Sequence, residues 1–214
     1  MGEDHTTWNQ VQDSVSLRTT TISYDRAGLG LSKYNGEKKD LVTMSNELHQ
    51  LMSNSQIKDP VILVGHSLGC QIIKKFALMY PMKVRSIVFI DPGYNPANLR
   101  LVLSDSLWNA REEKLKQYMP KLNPAQQAEF DQLEKNTEQA DDIIAFPDVP
   151  VVLFTATLIT DFPASKQEVA VKKQTHEKWL SHNPNAKHFT VEDSRHYIHN
   201  DHPELIINTI LELL

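Results

Sequence analysis

Apolar positions along the chain fall into two rhythms. Short continuous runs recur at Val61–Val64, Ser86–Ile90 and Val149–Ala156. Runs of this length, rich in Val and Ile, fit strands buried on both faces. Between them apolar residues return at helical spacing. Leu41, Met44, Leu48, Leu51 and Met52 share one face over Asp40–Ile57, and Leu68, Ile72, Phe76 and Met79 share another until Pro81 stops the run. Trp8, Val11 and Val15 predict a helix over Thr7–Leu17, and the β-branched stretch Thr19–Tyr24 predicts a strand. Further on, Lys166–His182 reads as a helix with Val169, Thr175 and Trp179 as contacts, and His188–Val191 as a short last strand. Glu204–Leu214 closes the chain as a strongly apolar helix, with Pro203 suited to its first turn. Strands alternating with helices predict a parallel sheet covered on both faces. Ligands of such sheets bind outside the carboxyl ends of the strands.

The rhythm weakens over residues 95–148. This stretch is rich in Gln, Glu, Lys and Asn, with two helix-like runs broken around Pro120–Pro124 and a thin apolar face from Leu99, Val102, Leu107, Leu115, Tyr118 and Leu122. Residues 1–94 and 149–214 therefore read as the core, and 95–148 as a helical cap that would overhang the active edge of the sheet.

Composition narrows the function. The 214 residues are 40% hydrophobic and 23% charged, as in ordinary globular domains, and the net charge of -5 argues against nucleic acid. No apolar run approaches the length of a bilayer span. One cysteine, Cys70, rules out an internal disulfide and fits a reducing, cytoplasmic setting; its role reads as packing.

The chemistry sits at the end of the first buried run. Gly65-His66-Ser67-Leu68-Gly69 is a G-x-S-x-G turn with a strand before it and an amphipathic helix after it. Such a turn holds its serine strained and exposed above the sheet. Glycines 65 and 69 fit a close approach of strand and helix. The helix N-terminus favours negative charge, so the Leu68 N–H can serve an oxyanion. A serine needs a base. Of nine histidines, His196 is placed best, in the loop Glu192–His196 beyond the last strand. His5, His49, His176, His182 and His188 lie in polar segments and read as surface residues, and the side chain of His66 should diverge from the serine. His196, His199 and His202 do not share one helical face, which argues against zinc. Asp91, directly after its strand, is the preferred acid, and Asp161, several residues beyond Ala156, the alternative. Gly28-x-Gly30 is followed by Lys33 where a dinucleotide loop needs a small residue, so no nucleotide cofactor is expected.

These pieces resemble the α/β-hydrolase superfamily over nearly the whole chain: Tyr24–Ser32, Gly65–Gly69, Ile90-Asp91-Pro92, Ser194–His199 and Asp201-His202-Pro203. The resemblance implies Ser67 as nucleophile, His196 as base, and either Asp161 or Asp91 as acid. It implies no cofactor, a helical cap at 95–148, and a small carboxylic ester as substrate. A dehalogenase or epoxide hydrolase is disfavoured, since those usually place an aspartate where Ser67 stands. Similar proteins carry further strands and an oxyanion loop ahead of a segment like Asp4–Gln12, so the chain reads as amino-terminally truncated, with the second oxyanion donor near Gly2 or Glu3. One strand would then be missing between Thr21–Asp25 and Val61–Gly65. Those segments must pair directly or leave an exposed edge, through which the chain could form homo-oligomers. The alternative function is a non-catalytic binding module that keeps the fold.

Overall fold

The computed structural model describes residues 2–117, 122–143, 147–160 and 162–214. Four parallel strands form one sheet in the order β1-β2-β3-β4: β1 Val61–His66, β2 Val84–Ile90, β3 Val151–Ala156 and β4 Ala186–Val191. This is the parallel α/β sheet that the alternation of strands and helices predicts, with helices linking successive strands. Along β2, Ile87 and Phe89 point to one face while Val88 and Ile90 point to the other. The first face packs against α2 (Leu41–Asn54), α3 (Leu68–Met79) and Trp179 of α8 (Ser165–Leu180). The second packs against α1 (Asn9–Ser16) and α10 (Pro203–Glu212) through Val11, Val15, Ile206, Ile207 and Ile210.

Helix starts follow local chemistry. Asp40 accepts from the Thr43 N–H and caps α2, so Asp40 lies outside the helix that the apolar spacing begins there. Asn9–Ser16 is preceded by a short 3-10 turn at His5–Trp8, capped by Asp4.

Between β2 and β3 lie α4 (Pro96–Val102), α5 (Asp105–Lys116), α6 (Pro124–Asp131) and α7 (Leu133–Asp141), followed by β3; α9 (Ile198–Asp201) precedes α10. The last of the four is anchored in the main core. Ala140 is fully buried there, Gln71 Nε2 donates to Thr137 Oγ1 at 3.1 Å, and Trp179 Nε1 donates to Asp141 Oδ1 at 2.7 Å. On α6, the buried Glu129 carboxylate takes a two-bond grip from Arg26, at 2.8 and 3.0 Å.

Two expectations fail at the same margin. Thr19–Tyr24 belongs to no strand. A strand needs a partner for its backbone groups, and among the described residues β1 pairs only with β2. Residues 21 and 23 bond instead to Gln12, through Thr21 O and the Ser23 hydroxyl. The run Val61–Val64 predicts burial on both faces, yet Val61, Ile62 and Val64 are only half-buried because β1 is the border of the sheet. Direct pairing of the two segments is not found among the described residues.

Candidate active site

β1 ends at His66 and β2 at Ile90, and these two residues are register partners. Ser67 and Asp91 therefore leave the sheet side by side. The Ser67 N–H donates to Ile90 O at 3.1 Å, and the Asp91 N–H to Phe154 O at 2.8 Å. Ser67 has φ 54 and ψ -119, a region that side chains rarely enter, and Asp91 has φ 42. Backbone strain of this kind, of order 1–3 kcal/mol, persists where surrounding structure enforces it. Here the enforcement is the close pass of strand and helix. A side chain at Gly65 would meet the Gly69 carbonyl at 2.7 Å and Cys70 N at 2.9 Å. Gly69 faces open space, so the steric reason expected at both glycines applies only to Gly65. Cys70 is fully buried, its thiol donates to Gly65 O at 3.0 Å, and burial pushes its pKa well up, so it stays a packed thiol.

His196 arrives from the loop after β4. Its Nδ1 lies 2.7 Å from Asp91 Oδ2. An ionised carboxylate only accepts, so Nδ1 carries the proton and Nε2 is left as the basic nitrogen. Burial works to raise the Asp91 pKa. The His196 hydrogen bond and the Lys172 charge outweigh it and lower that pKa to about 2. His66 does not simply turn away. Its Nε2 donates to the His196 carbonyl at 2.8 Å, and the two rings lie 4.4 Å apart. The residue next to Ser67 thus holds the loop that carries His196, on the same rim of the sheet. Burial drives the His66 pKa well below its usual value, so the ring is neutral.

Several positions differ from their expected roles. His176 is fully buried, not on the surface; Thr155 Oγ1 lies 2.6 Å from its Nδ1 and its Nε2 donates to Pro92 O at 3.0 Å. His188 is half-buried and its Nε2 meets the same Thr155 hydroxyl at 2.7 Å. Lys172, absent from the expected site, donates to both oxygens of Asp91, at 3.1 and 3.0 Å. A signal existed: Lys172, Thr175, His176 and Trp179 form one buried helical stripe, in which three polar residues sit where apolar ones would be usual. Asp161 lies outside the described residues. Leu68 opens α3, where the first N–H groups have no partner within the helix. The Gly2 N–H points at Glu129 Oε2, 3.3 Å away.

The three histidines near the chain end disperse to different partners: His196 to Asp91, His199 to Thr7 Oγ1 at 3.1 Å, and His202 to Asp193 at 3.0 Å. Among the described residues, Asp4, His5 and Asp25 are the group whose ligand atoms lie within 4.8 Å of one another. Those atoms already serve the chain, with His5 N and Nδ1 on Asp25 and Thr6 N on Asp4.

A strand-end serine in strained backbone, a carboxylate just beyond the next strand and a histidine from the last loop thus gather on one rim of the sheet. Residues 2–141 match the family model described as alpha/beta hydrolase fold, and the chain belongs to that family. It is similar to the uncharacterized protein YqjL of Bacillus subtilis, at 21% identity over 205 residues, which is 96% of this chain and 77% of that one. Among solved structures, it is similar to an esterase from a marine microorganism (TM-score 0.64, 19% identity, covering 100% of this chain and 92% of that one). It is also similar to Est816, described as an N-acyl homoserine lactone degrading enzyme (TM-score 0.71, 13% identity, 100% and 90% covered). Among the described residues, no helix is long and apolar enough to cross a membrane.

Proposed function

We propose that the chain is a serine hydrolase that cleaves a small carboxylic ester or a related acyl substrate. The observation that carries this reading is the 2.7 Å pair between His196 and the buried Asp91, on the rim where Ser67 is held in strained backbone. Ser67 Oγ attacks the carbonyl carbon and passes its proton to His196 Nε2. Asp91 stabilises the imidazolium without taking the proton, as expected for a carboxylate whose pKa is held near 2. The N–H of Leu68 receives the developing oxyanion. The C–O bond then breaks, His196 returns the proton to the leaving alkoxide, and water releases the acyl group by the same steps in reverse. Residues 95–148 serve as the cap that shapes the acyl and alcohol pockets. Two structural neighbours, one described as an esterase and one as an N-acyl homoserine lactone degrading enzyme, are in keeping with this reading.

A second reading, a non-catalytic module, draws on one observation: the Gly2 N–H is directed to Glu129. A missing second oxyanion donor would cost about 3–4 kcal/mol of transition-state stabilisation. A fluorophosphonate probe separates the two readings. Wild type is expected to be labelled and Ser67→Ala is not. Equal labelling of both would remove Ser67 as nucleophile, and no labelling of folded wild type would favour the module.

A further inference from the structure

Asp91 is more heavily held than orienting a histidine requires. Oδ1 accepts from the Ala156 N–H at 3.0 Å and Lys172 Nζ at 3.1 Å; Oδ2 accepts from Lys172 Nζ at 3.0 Å and His196 Nδ1 at 2.7 Å. All four acceptor positions of the carboxylate are filled. Lys172 Nζ also donates to Ala156 O at 3.0 Å. The ammonium thus ties the carboxylate to the end of β3, and both residues are buried.

Charge balance follows from this geometry. A lone buried aspartate would direct its whole charge at the imidazole. Here a fixed cation already offsets it, so the group is neutral before His196 accepts a proton and positive afterwards. We propose that Lys172 is a positioning residue of the Ser67 site, fixing the Asp91 carboxylate and offsetting its charge, so that His196 remains free to accept the serine proton at lower pH than Asp91 alone would permit. The proposal rests on the hydrolase reading above.

The other groups around the pair do not supply this charge. His66 from β1, Tyr197 from the loop and His199 from α9 face His196, and His176 from α8 faces Asp91. Burial lowers the pKa of His66, His176 and His199, which are neutral rings near pH 7. Tyr197 keeps its proton, with a pKa raised to about 12, and donates it to Glu3. Asp201 accepts from the Arg195 N–H and the Ser194 hydroxyl. Lys172 is the fixed positive charge in direct contact with Asp91.

The test is a comparison of K172M, K172Q and K172R with wild type. Two readouts are followed: the acid limb of the kcat/KM profile for p-nitrophenyl acetate, and the midpoint of the His196 ring resonance by NMR. In K172M, and in K172Q with its remaining donor for Ala156 O, both are expected to move up by roughly one pH unit, as when a neighbouring charge is removed. K172R keeps the charge and should hold both near wild type. A lysine that merely supports the fold would lower stability or kcat and leave both readouts in place. Unmoved readouts in folded K172M or K172Q overturn the proposal, and so does a K172R profile displaced by a full unit. If the neutral variants do not fold, a K172R profile displaced by a full unit still overturns the proposal. If wild type turns over no ester while the ring midpoint still moves in K172M, the hydrolase reading falls and the charge coupling stands.

Discussion

Asp91 is the residue on which the site's contacts converge, and under the proposed function its removal gives a sharp expectation. Asp91→Asn keeps the shape but favours the wrong imidazole tautomer, and should lower kcat on the order of 10³–10⁴-fold. Asp161→Asn should stay within a few-fold of wild type in the same ester assay; the reverse ranking would move the acid to residue 161. A second expectation concerns acid stability. His176 and His199 are buried, which lowers the pKa of each to about 4, against an ordinary value near 6.5. Between those limits the unfolded chain binds protons that the folded chain does not. Stability is therefore full above about pH 6.5 and falls as pH drops toward 4, by roughly 2 kcal/mol per unit mid-window for the two together. Asp91 adds its own loss only below about pH 4, as pH falls toward its folded value near 2. Urea midpoints at pH 7 and pH 5 check this, and a flat response would refute it. Ser67 and His196 stand on the one rim where motif and chain order expect them, while that order left the acid open between Asp91 and Asp161. Lys172 and the buried His176 could not, because a lysine and a histidine in a polar helix look solvated until the stripe they share with Trp179 is known to face inward.

The elements best read in advance were those whose neighbours bury them. β2, β3, α3 and α10 lie close to their expected bounds, since each apolar run or stripe has a core surface to meet. The stretch 95–148 was legible only as broken helix. What secures α6 is a polar contact across 103 residues, Arg26 to Glu129, which no local periodicity encodes. That contact carries a prediction. Glu129→Ala leaves the Arg26 charge buried without its partner and should cost about 3–5 kcal/mol in chemical denaturation. The paired change R26M/E129M should cost distinctly less, because no lone charge remains. A double variant as unstable as E129A would show that loss of the pair itself, and not the stranded Arg26 charge, carries the cost.

At the scale of the whole molecule, the layered parallel architecture was evident from alternation, whereas the behaviour of its border was not. Thr19–Tyr24 has strand-forming residues but no ladder to join, so propensity alone could not decide its state. The same border sets a mechanical difference within the site. Asp91 follows an interior strand braced by neighbours on either side, whereas Ser67 is mounted on the outermost one, hydrogen-bonded along a single flank. Loosening β1 breaks one seam; loosening β2 breaks two. The acid is thus built into the stiff centre of the molecule, while the hydroxyl rides on its hem, so on heating the site is expected to loosen first at the serine.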